Sequence, residues 1–364
     1  MKAVRKSVFV VVGLSFMLYN SLYQYSWNAV YPLLLHRFDT RELSLIFSTF
    51  VVVSSVAQVV MGLVADYLSV RLTALLSAIA ASLGWLLSSL VTDFYTFMGV
   101  WALGSFGEGS LYGVAINLVG KWFPERRGFY IGLVSLGFGL GGFIANPWIL
   151  SQHSYAFVAL VLGLIGLLTV VPLSTLVRYP TGLTGRTPLK TVSDLGFWLI
   201  YSAFVISTLP LLLLSSSLYL FVKGTYVESL AITLFPLASG LGRPLFGRIS
   251  DSLGRPKSLI IAMLMEALGV LTFLEGPELK LLGTIIIGIS GGALLTLFLT
   301  LVTDFFGARY STSNTAILYT GKALTGVVLA SLQALETPLL AYFALPLLGI
   351  LLIKGAQRVE RQVG

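Results

Sequence analysis

Four ionisable residues stand deep inside apolar stretches of the 364-residue sequence: Glu108, Arg243, Glu266 and Lys322. Lys322, in "LYTGKALTGV", is the only charge in the twenty-six residues between Arg309 and Glu336. At a helical rise of roughly 1.5 Å per residue, both flanking charges lie about 20 Å away, beyond the reach of a lysine side chain. A charge at the centre of a bilayer costs roughly 2.5 to 3.5 kcal/mol on insertion scales, so such residues usually face a cavity and carry a function. The alternative for Lys322 is a buried ion pair with a glutamate that only fixes helix packing. Arg243, in "SGLGRPLFGR", lies five residues before Arg248 and could snorkel to the interface. Gly240, Gly242 and Pro244 loosen the helix around it, which suits a guanidinium turned toward a cavity, and guanidinium is the group best shaped for bidentate carboxylate binding. Glu108, in "GSFGEGSLYG", could carry a proton or pair with Lys322 or Arg243. The chemistry on offer is therefore recognition of small anions.

Covalent chemistry finds no support. The sequence has no cysteine, and its two histidines, His36 and His153, fall in short polar breaks. Nothing resembles a nucleophile with its base, a metal cluster, an acid pair or a nucleotide-binding Walker loop, so no enzyme activity, cofactor, metal or nucleotide is expected, and energy should come from a gradient. "GFGLGG" (137–142) satisfies Gly-x-Gly-x-x-Gly but sits in an apolar span with no preceding strand; small-residue helix packing explains it.

The elements that must hold these charges are membrane helices. The chain is 56% hydrophobic and only 10% charged, with a mean hydropathy of +0.92, against about 25% charged residues in a soluble domain. "MKAVRK" followed by an apolar run from Ser7 to about Leu35 mimics a signal peptide, but the run is too long and many like it follow, so it reads as a retained first span. Twelve spans are predicted: 8–35, 43–65, 72–92, 95–118, 129–150 and 155–177, then 195–221, 229–247, 258–274, 281–303, 314–335 and 337–353. The fold class is thus an all-α membrane protein. Its domains are expected as an N-terminal six-helix bundle over 1–177, a cytoplasmic central loop, "RYPTGLTGRTPLKTVSD", over 178–194, and a C-terminal six-helix bundle over 195–364. Seventeen lysines and arginines, Lys2 and Arg5 among them, fall on the side of the termini, against four on the other: Arg37, Arg41, Lys223 and Lys280. That bias places both termini in the cytoplasm of a multi-pass protein of the cell membrane. The net charge of +8 is accordingly a topology signal and no sign of a nucleic-acid partner.

A repeat appears at half the chain length. "GLVADYLSVR" (62–71) is echoed by "GRISDSLGR" (247–255), and Asp66 and Asp251 are 185 residues apart, against a half-length of 182. Twelve spans in two halves, a longer central loop and this motif after spans 2 and 8 resemble the major facilitator superfamily across essentially the whole chain. The second copy, with Asp251, Gly254 and Arg255, matches the family pattern well; in the first, Tyr67 and Ser69 stand where arginine and glycine are usual. The resemblance implies cytoplasmic gating by Asp66, Arg71, Asp251 and Arg255. It also implies a peripheral ninth helix, where Glu266 would serve packing or lateral contact.

Longer segments narrow the resemblance to the oxalate/formate antiporter family and its monocarboxylate-carrying relatives. "YGVAINLVGKWFPERRGFYIGLVSLGFGLGG" (112–142) looks like that family's fourth-to-fifth-helix signature, and "SGLGRPLFGRISDSLGR" and "FFGARYSTSNTAILYTGKALTG" are similar to its eighth-helix arginine and eleventh-helix lysine segments. The family's substrate-binding arginine and lysine then map onto Arg243 and Lys322, and its pocket of glutamine and tyrosine onto Gln24, Tyr25, Gln58 and Tyr112. Independently of the family, amides and phenols inside apolar spans can donate to carboxylate oxygens. Tyr95, Tyr155 and Tyr342 read instead as interfacial belt residues. The chain departs from the family on the tenth helix, where the expected aromatic pair is replaced and only Phe298 is near, and in the added acids Glu108 and Glu266.

The implied function is secondary transport of small organic anions, oxalate, formate or monocarboxylates, by alternating access, as exchange or coupled to protons. The expected partners are a small carboxylate substrate and the lipid bilayer, with function as a monomer. The competing expectations are a proton-coupled exporter of hydrophobic compounds, against which stands the absence of any signal for a wide apolar cavity, and, from another class, a channel or membrane receptor on the same scaffold.

Overall fold

The computed structural model describes residues 6–273, 275–334 and 338–363. Lys2, Arg5 and Glu336 lie outside the described residues. The chain is almost wholly helical. Its first part contains α1 (Ser7–Gln24), α2 (Trp27–Leu34), α3 (Thr40–Val64), α4 (Val70–Ser88), α5 (Phe94–Trp122), α6 (Arg127–Leu150), α7 (Tyr155–Ile165) and α8 (Val171–Ser174). The short α9 (Pro188–Val192) interrupts the central loop. Then come α10 (Leu195–Ser207), α11 (Leu209–Val222), α12 (Glu228–Leu253), α13 (Arg255–Thr272), α14 (Pro277–Phe306), α15 (Ser311–Tyr319), α16 (Gly321–Ala334) and α17 (Ala341–Val363).

Pairing α1 with α2, α7 with α8, α10 with α11 and α15 with α16 gives the twelve spans. Among the described residues, seven helical stretches are long and apolar enough to cross a membrane on length and composition alone. One of them, Thr40–Ser88, contains two spans. It turns back at Ser69, whose backbone is extended (φ −158°, ψ 112°) and whose hydroxyl caps Leu72, so that Thr73 returns to within 3.4 Å of the Met61 carbonyl. The remaining four spans are polar, broken or end in charged residues. Several helices outrun their hydropathy limits, α5 reaching Trp122 and α12 Leu253, because a helix continues into the polar interface where an apolar window stops.

In the first part α1 packs on α5 and α6, α3 and α4 on α5, and α4 on α7; in the second, α12 and α13 pack on α14, and α10 and α13 on α17. The seam between them is made by α6 against α12, α2 against α11, and α3 against α15 and α16. Glycines set its closeness. A Cβ on Gly132 would lie 2.5 Å from the Arg243 carbonyl oxygen, and one on Gly139 would lie 2.3 Å from that of Pro236. Gly137 and Gly141 serve α1 in the same way. "GFGLGG" is therefore a packing element, as expected.

Three spans are interrupted. α1 ends and α2 begins around Tyr25–Ser26; α10 gives way to α11 at Thr208, two residues before Pro210; α15 gives way to α16 at Thr320, two residues before Lys322. A proline removes a donor and disfavours helix before it, and each break frees carbonyls that an apolar medium cannot satisfy. Asn146 of α6 answers one of them and a second carbonyl freed by a proline within α12. Its amide donates to the Tyr25 carbonyl (3.1 Å) and to that of Ile232 (3.2 Å), four residues before Pro236, where the helix has no N–H to offer. Discontinuous helices of this kind are where transporters build their binding sites.

Candidate functional site

The breaks bring the buried cations together from the two halves. Lys322 Nζ donates to Gln24 Oε1 at 2.6 Å and lies over the rings of Phe50 and Tyr319, at 5.0 and 5.4 Å. Gln24 in turn donates to Ser215 Oγ of α11 at 3.3 Å. Arg243 is fully buried (0% exposed) and does not snorkel. Its Nη1 and Nη2 make long bonds, 3.4 Å each, to the hydroxyls of Tyr112 and Tyr25, its Cζ lies 5.0 Å from the centre of the Phe138 ring, and its Nε has no acceptor. Tyr25 Oη shares a 2.6 Å hydrogen bond with Ser239 Oγ, one turn before Arg243 on α12. The Tyr112 and Tyr319 rings, 5.0 Å apart, bridge the two cations.

None of the five ion pairs among the described residues involves Arg243, Lys322, Glu108 or Glu266. Glu108 is buried and feels the charge of Lys322 without forming a contact pair. The structure thus brings Gln24, Tyr25, Tyr112, Arg243 and Lys322 into one cluster, with Glu108 beside it. Gln58 is buried on α3 against Gly113, next to Tyr112 in sequence, and hydrogen-bonds to neither cation. Phe298 reaches the cluster only through Phe204, which meets Tyr319. Glu266 is fully buried, with neither carboxylate oxygen hydrogen-bonded, which excludes a lateral contact with lipid. Of the proposed belt residues, Tyr95 is exposed, whereas Tyr155 and Tyr342 are buried, Tyr155 on Ser88 at 2.8 Å. Burial in the bundle and a hydroxyl partner replace an interfacial position there.

Sequence reasoning missed Tyr319, Ser239, Phe138 and Phe50. Tyr319 and Ser239 had a signal, since they stand three and four residues before Lys322 and Arg243 and so share a helix face with them. Phe138 and Phe50 had none in runs already rich in aromatics.

On the face that carries the termini, the repeated aspartates act alike. Asp66 Oδ2 accepts from the backbone N–H of Ser313, the third residue of α15, at 2.8 Å, and Asp251 Oδ2 from that of Phe129, the third residue of α6, at 3.0 Å. Each aspartate thus caps a helix of the opposite half, where free N–H groups and the helix dipole favour a negative charge. Ser313 and Phe129 are 184 residues apart, matching the spacing of the aspartates themselves. The partners differ. Asp66 pairs with Lys121 at 2.6 Å, and Lys121 also lies 3.9 Å from the centre of the Tyr179 ring and donates to the Arg309 carbonyl. Asp251 pairs with Arg255, which with Arg127 holds Asp304. Arg71 is exposed and joins no ion pair among the described residues; the cation paired with Asp66 is Lys121. On the opposite face, Asn28 ties α2 to α11: its amide donates to the Ser215 carbonyl at 3.0 Å and accepts from the N–H of Tyr219 at 3.1 Å.

Residues 8–329 match the Major Facilitator Superfamily. The chain belongs to that superfamily. It is a multi-pass membrane transporter and not an enzyme. Among its relatives, an uncharacterised 38 kDa protein encoded in the 23S RNA operon of Thermoproteus tenax is 41% identical over 322 residues, covering 88% of this chain and 86% of that one. The oxalate:formate antiporter of Oxalobacter formigenes is 24% identical over 273 residues, 67% of this chain and 63% of its own. The superfamily fold is shared with the human organic anion transporter MFSD10, whose crystal structure aligns with a TM-score of 0.74 over 96% of this chain and all of that one, at 16% identity.

Proposed function

We propose that the protein carries small organic anions by alternating access, with Arg243 and Lys322 as carboxylate ligands and Gln24, Tyr25 and Tyr112 as their neutral companions. The observation that carries this reading is a guanidinium with no exposure, an unpartnered Nε and two long bonds, near an ammonium whose one hydrogen bond among the described residues is to an amide. Burying a charge without a counter-charge is expensive, and a bound carboxylate supplies both charge and acceptors. Relatives such as the oxalate:formate antiporter support the substrate class. Gln58, against Gly113, shapes the pocket wall. With Arg243, Lys322 and an ionised Glu108, the empty site carries about one net positive charge, which suits a monocarboxylate or an anion carried with a proton. The positive-inside bias puts the closed face, with Asp66, Asp251 and Arg255 as gate residues, in the cytoplasm of the cell membrane, and each six-helix half, 1–177 and 195–364, moves as a unit.

Protein reconstituted into vesicles and loaded with oxalate, formate, lactate or pyruvate tests the reading. Exchange of at least one of these anions is expected, with its pH-gradient dependence reporting proton coupling. Lys322→Gln and Arg243→Gln should each lose exchange while still folding; unchanged transport in both variants would remove the proposal.

A further inference from the structure

A cavity of about 500 Å³ lies between α2, α3, α11 and α16, toward the face opposite the termini. Its walls are mainly apolar and include Trp27, Tyr31, Phe47, Val51, Leu212 and Leu329. Several of its serines turn their hydroxyls into their own helices: Ser44 to the Thr40 carbonyl, Ser216 to that of Leu213 and Ser331 to that of Val327. The surface presented to an occupant is thereby made less polar than the residue types suggest.

The cavity is in register with the cation cluster. On α16 the lining residue Gly326 stands four residues from Lys322; on α3 Phe47 stands three from Phe50, on which the ammonium rests; on α11 Leu212 stands three from Ser215, the partner of Gln24. Residues three or four apart share a helix face, so on α16 and α3 the apolar space begins about one turn, roughly 5.4 Å, beyond the polar cluster on the side away from the termini, while on α11 its lining runs past Ser215 from Leu212 to Leu220. Gly326 brings the α16 wall close to α3 and α11 at that level; the atoms nearest a Cβ there belong to Val51 and Leu212, at 3.3 and 3.8 Å. Farther out, Leu45, Val52, Leu220 and Val327 rim the cavity, and each is at least 41% exposed. Exposed apolar side chains at membrane depth face hydrocarbon.

We propose that the substrate is an amphipathic monocarboxylate whose head binds at Lys322 and Arg243 and whose apolar body, a medium alkyl chain or an aryl group, occupies this cavity. The inference rests on the anion reading above and narrows it. A two-carbon dianion would leave the cavity unused, whereas pockets of 300 to 1,000 Å³ ordinarily hold molecules of drug size. With Glu108 ionised, the single net charge of the cluster suits one carboxylate. Burial of a methylene is worth about 0.8 kcal/mol, so each one added to the chain should tighten binding about fourfold until the cavity is full.

Calorimetric titration of the purified full-length protein with acetate, butyrate, hexanoate, phenylacetate and oxalate tests this directly. Hexanoate and phenylacetate should bind at least tenfold tighter than acetate, and the gain should vanish in Lys322→Gln. Gly326→Phe, which fills the space, should cut the hexanoate-to-acetate affinity ratio at least tenfold; Ser48→Phe approaches it from α3 in case the first variant fails to fold. A flat series that still depends on Lys322 overturns this inference and leaves the anion reading standing. Hexanoate binding unchanged in Lys322→Gln also overturns it and marks the cavity as an acyl-chain site for lipid. Absence of binding by every carboxylate sinks both readings together.

Discussion

At the residue scale, the cluster was legible where a charge broke an apolar run and obscure where it did not. Lys322 announced itself because no water or counter-ion is within reach along the sequence, and Arg243 because Gly240, Gly242 and Pro244 loosen the helix around it. Phe138 and Phe50 did not, because one more aromatic in a membrane helix carries no information until its neighbour is known. The two hydroxyls on Arg243 can be tested singly. Tyr25→Phe removes an acceptor from the guanidinium and strands Ser239 Oγ, so it should cost about 1 to 3 kcal/mol, whereas Tyr112→Phe removes only one long bond and should cost about 0.5 to 1.5. Denaturation in a single detergent would rank them, and the reverse order would contradict the geometry. Glu266 gives the opposite expectation. Its carboxyl is buried without a hydrogen bond, so Glu266→Met, similar in volume, should raise stability by about 1 to 3 kcal/mol, read as a higher melting temperature, and leave exchange intact. A fall in exchange with an unchanged melting temperature would give that carboxyl a functional role.

At the element scale, hydropathy found the spans but not their breaks. A window of about twenty residues averages over Pro210 and Pro236, and the discontinuity in the first span has no proline within it to betray it. What makes these breaks tolerable is a side chain remote in sequence: Asn146 satisfies carbonyls on both sides of the seam. Asn146→Ala should therefore destabilise the protein by about 2 to 4 kcal/mol, since it strands two buried acceptors. Pro236→Ala restores an N–H one turn beyond Ile232, so the double variant should lose less than the sum of its parts, and a thermal double-mutant cycle would measure the difference. Strict additivity would mean that the two residues do not share that carbonyl. The apolar cavity was likewise invisible, because its walls come from four helices far apart in the chain. The lack of a sequence signal for a wide apolar cavity is therefore no argument against one.

At the scale of the whole molecule, the repeat read from two loops proved deeper than their residue types. The first copy looks degraded in sequence, yet Asp66 performs the same cap as Asp251, and a buried lysine from α5 replaces the exposed Arg71. Asp66→Asn weakens that cap and the Lys121 pair together. The chain has no native cysteine, so a single Ser311→Cys probe at the closed face should react with maleimide about tenfold faster in that background, equivalent to ~1.4 kcal/mol. An unchanged rate would show that the face is held shut elsewhere. The two caps also sit in unequal surroundings. The Lys121–Asp66 pair is sealed at 1% and 0% side-chain exposure, whereas Asp304, which joins Arg127 to Arg255, is 33% exposed. Ionic strength therefore addresses them separately. The screening length falls from about 10 Å at 0.1 M salt to about 3 Å at 1 M, and buried pairs are screened much less than exposed ones. A salt titration should loosen the Asp304 side first, so this pseudo-symmetric transporter opens unevenly, one half answering to the medium and the other only to changes within itself.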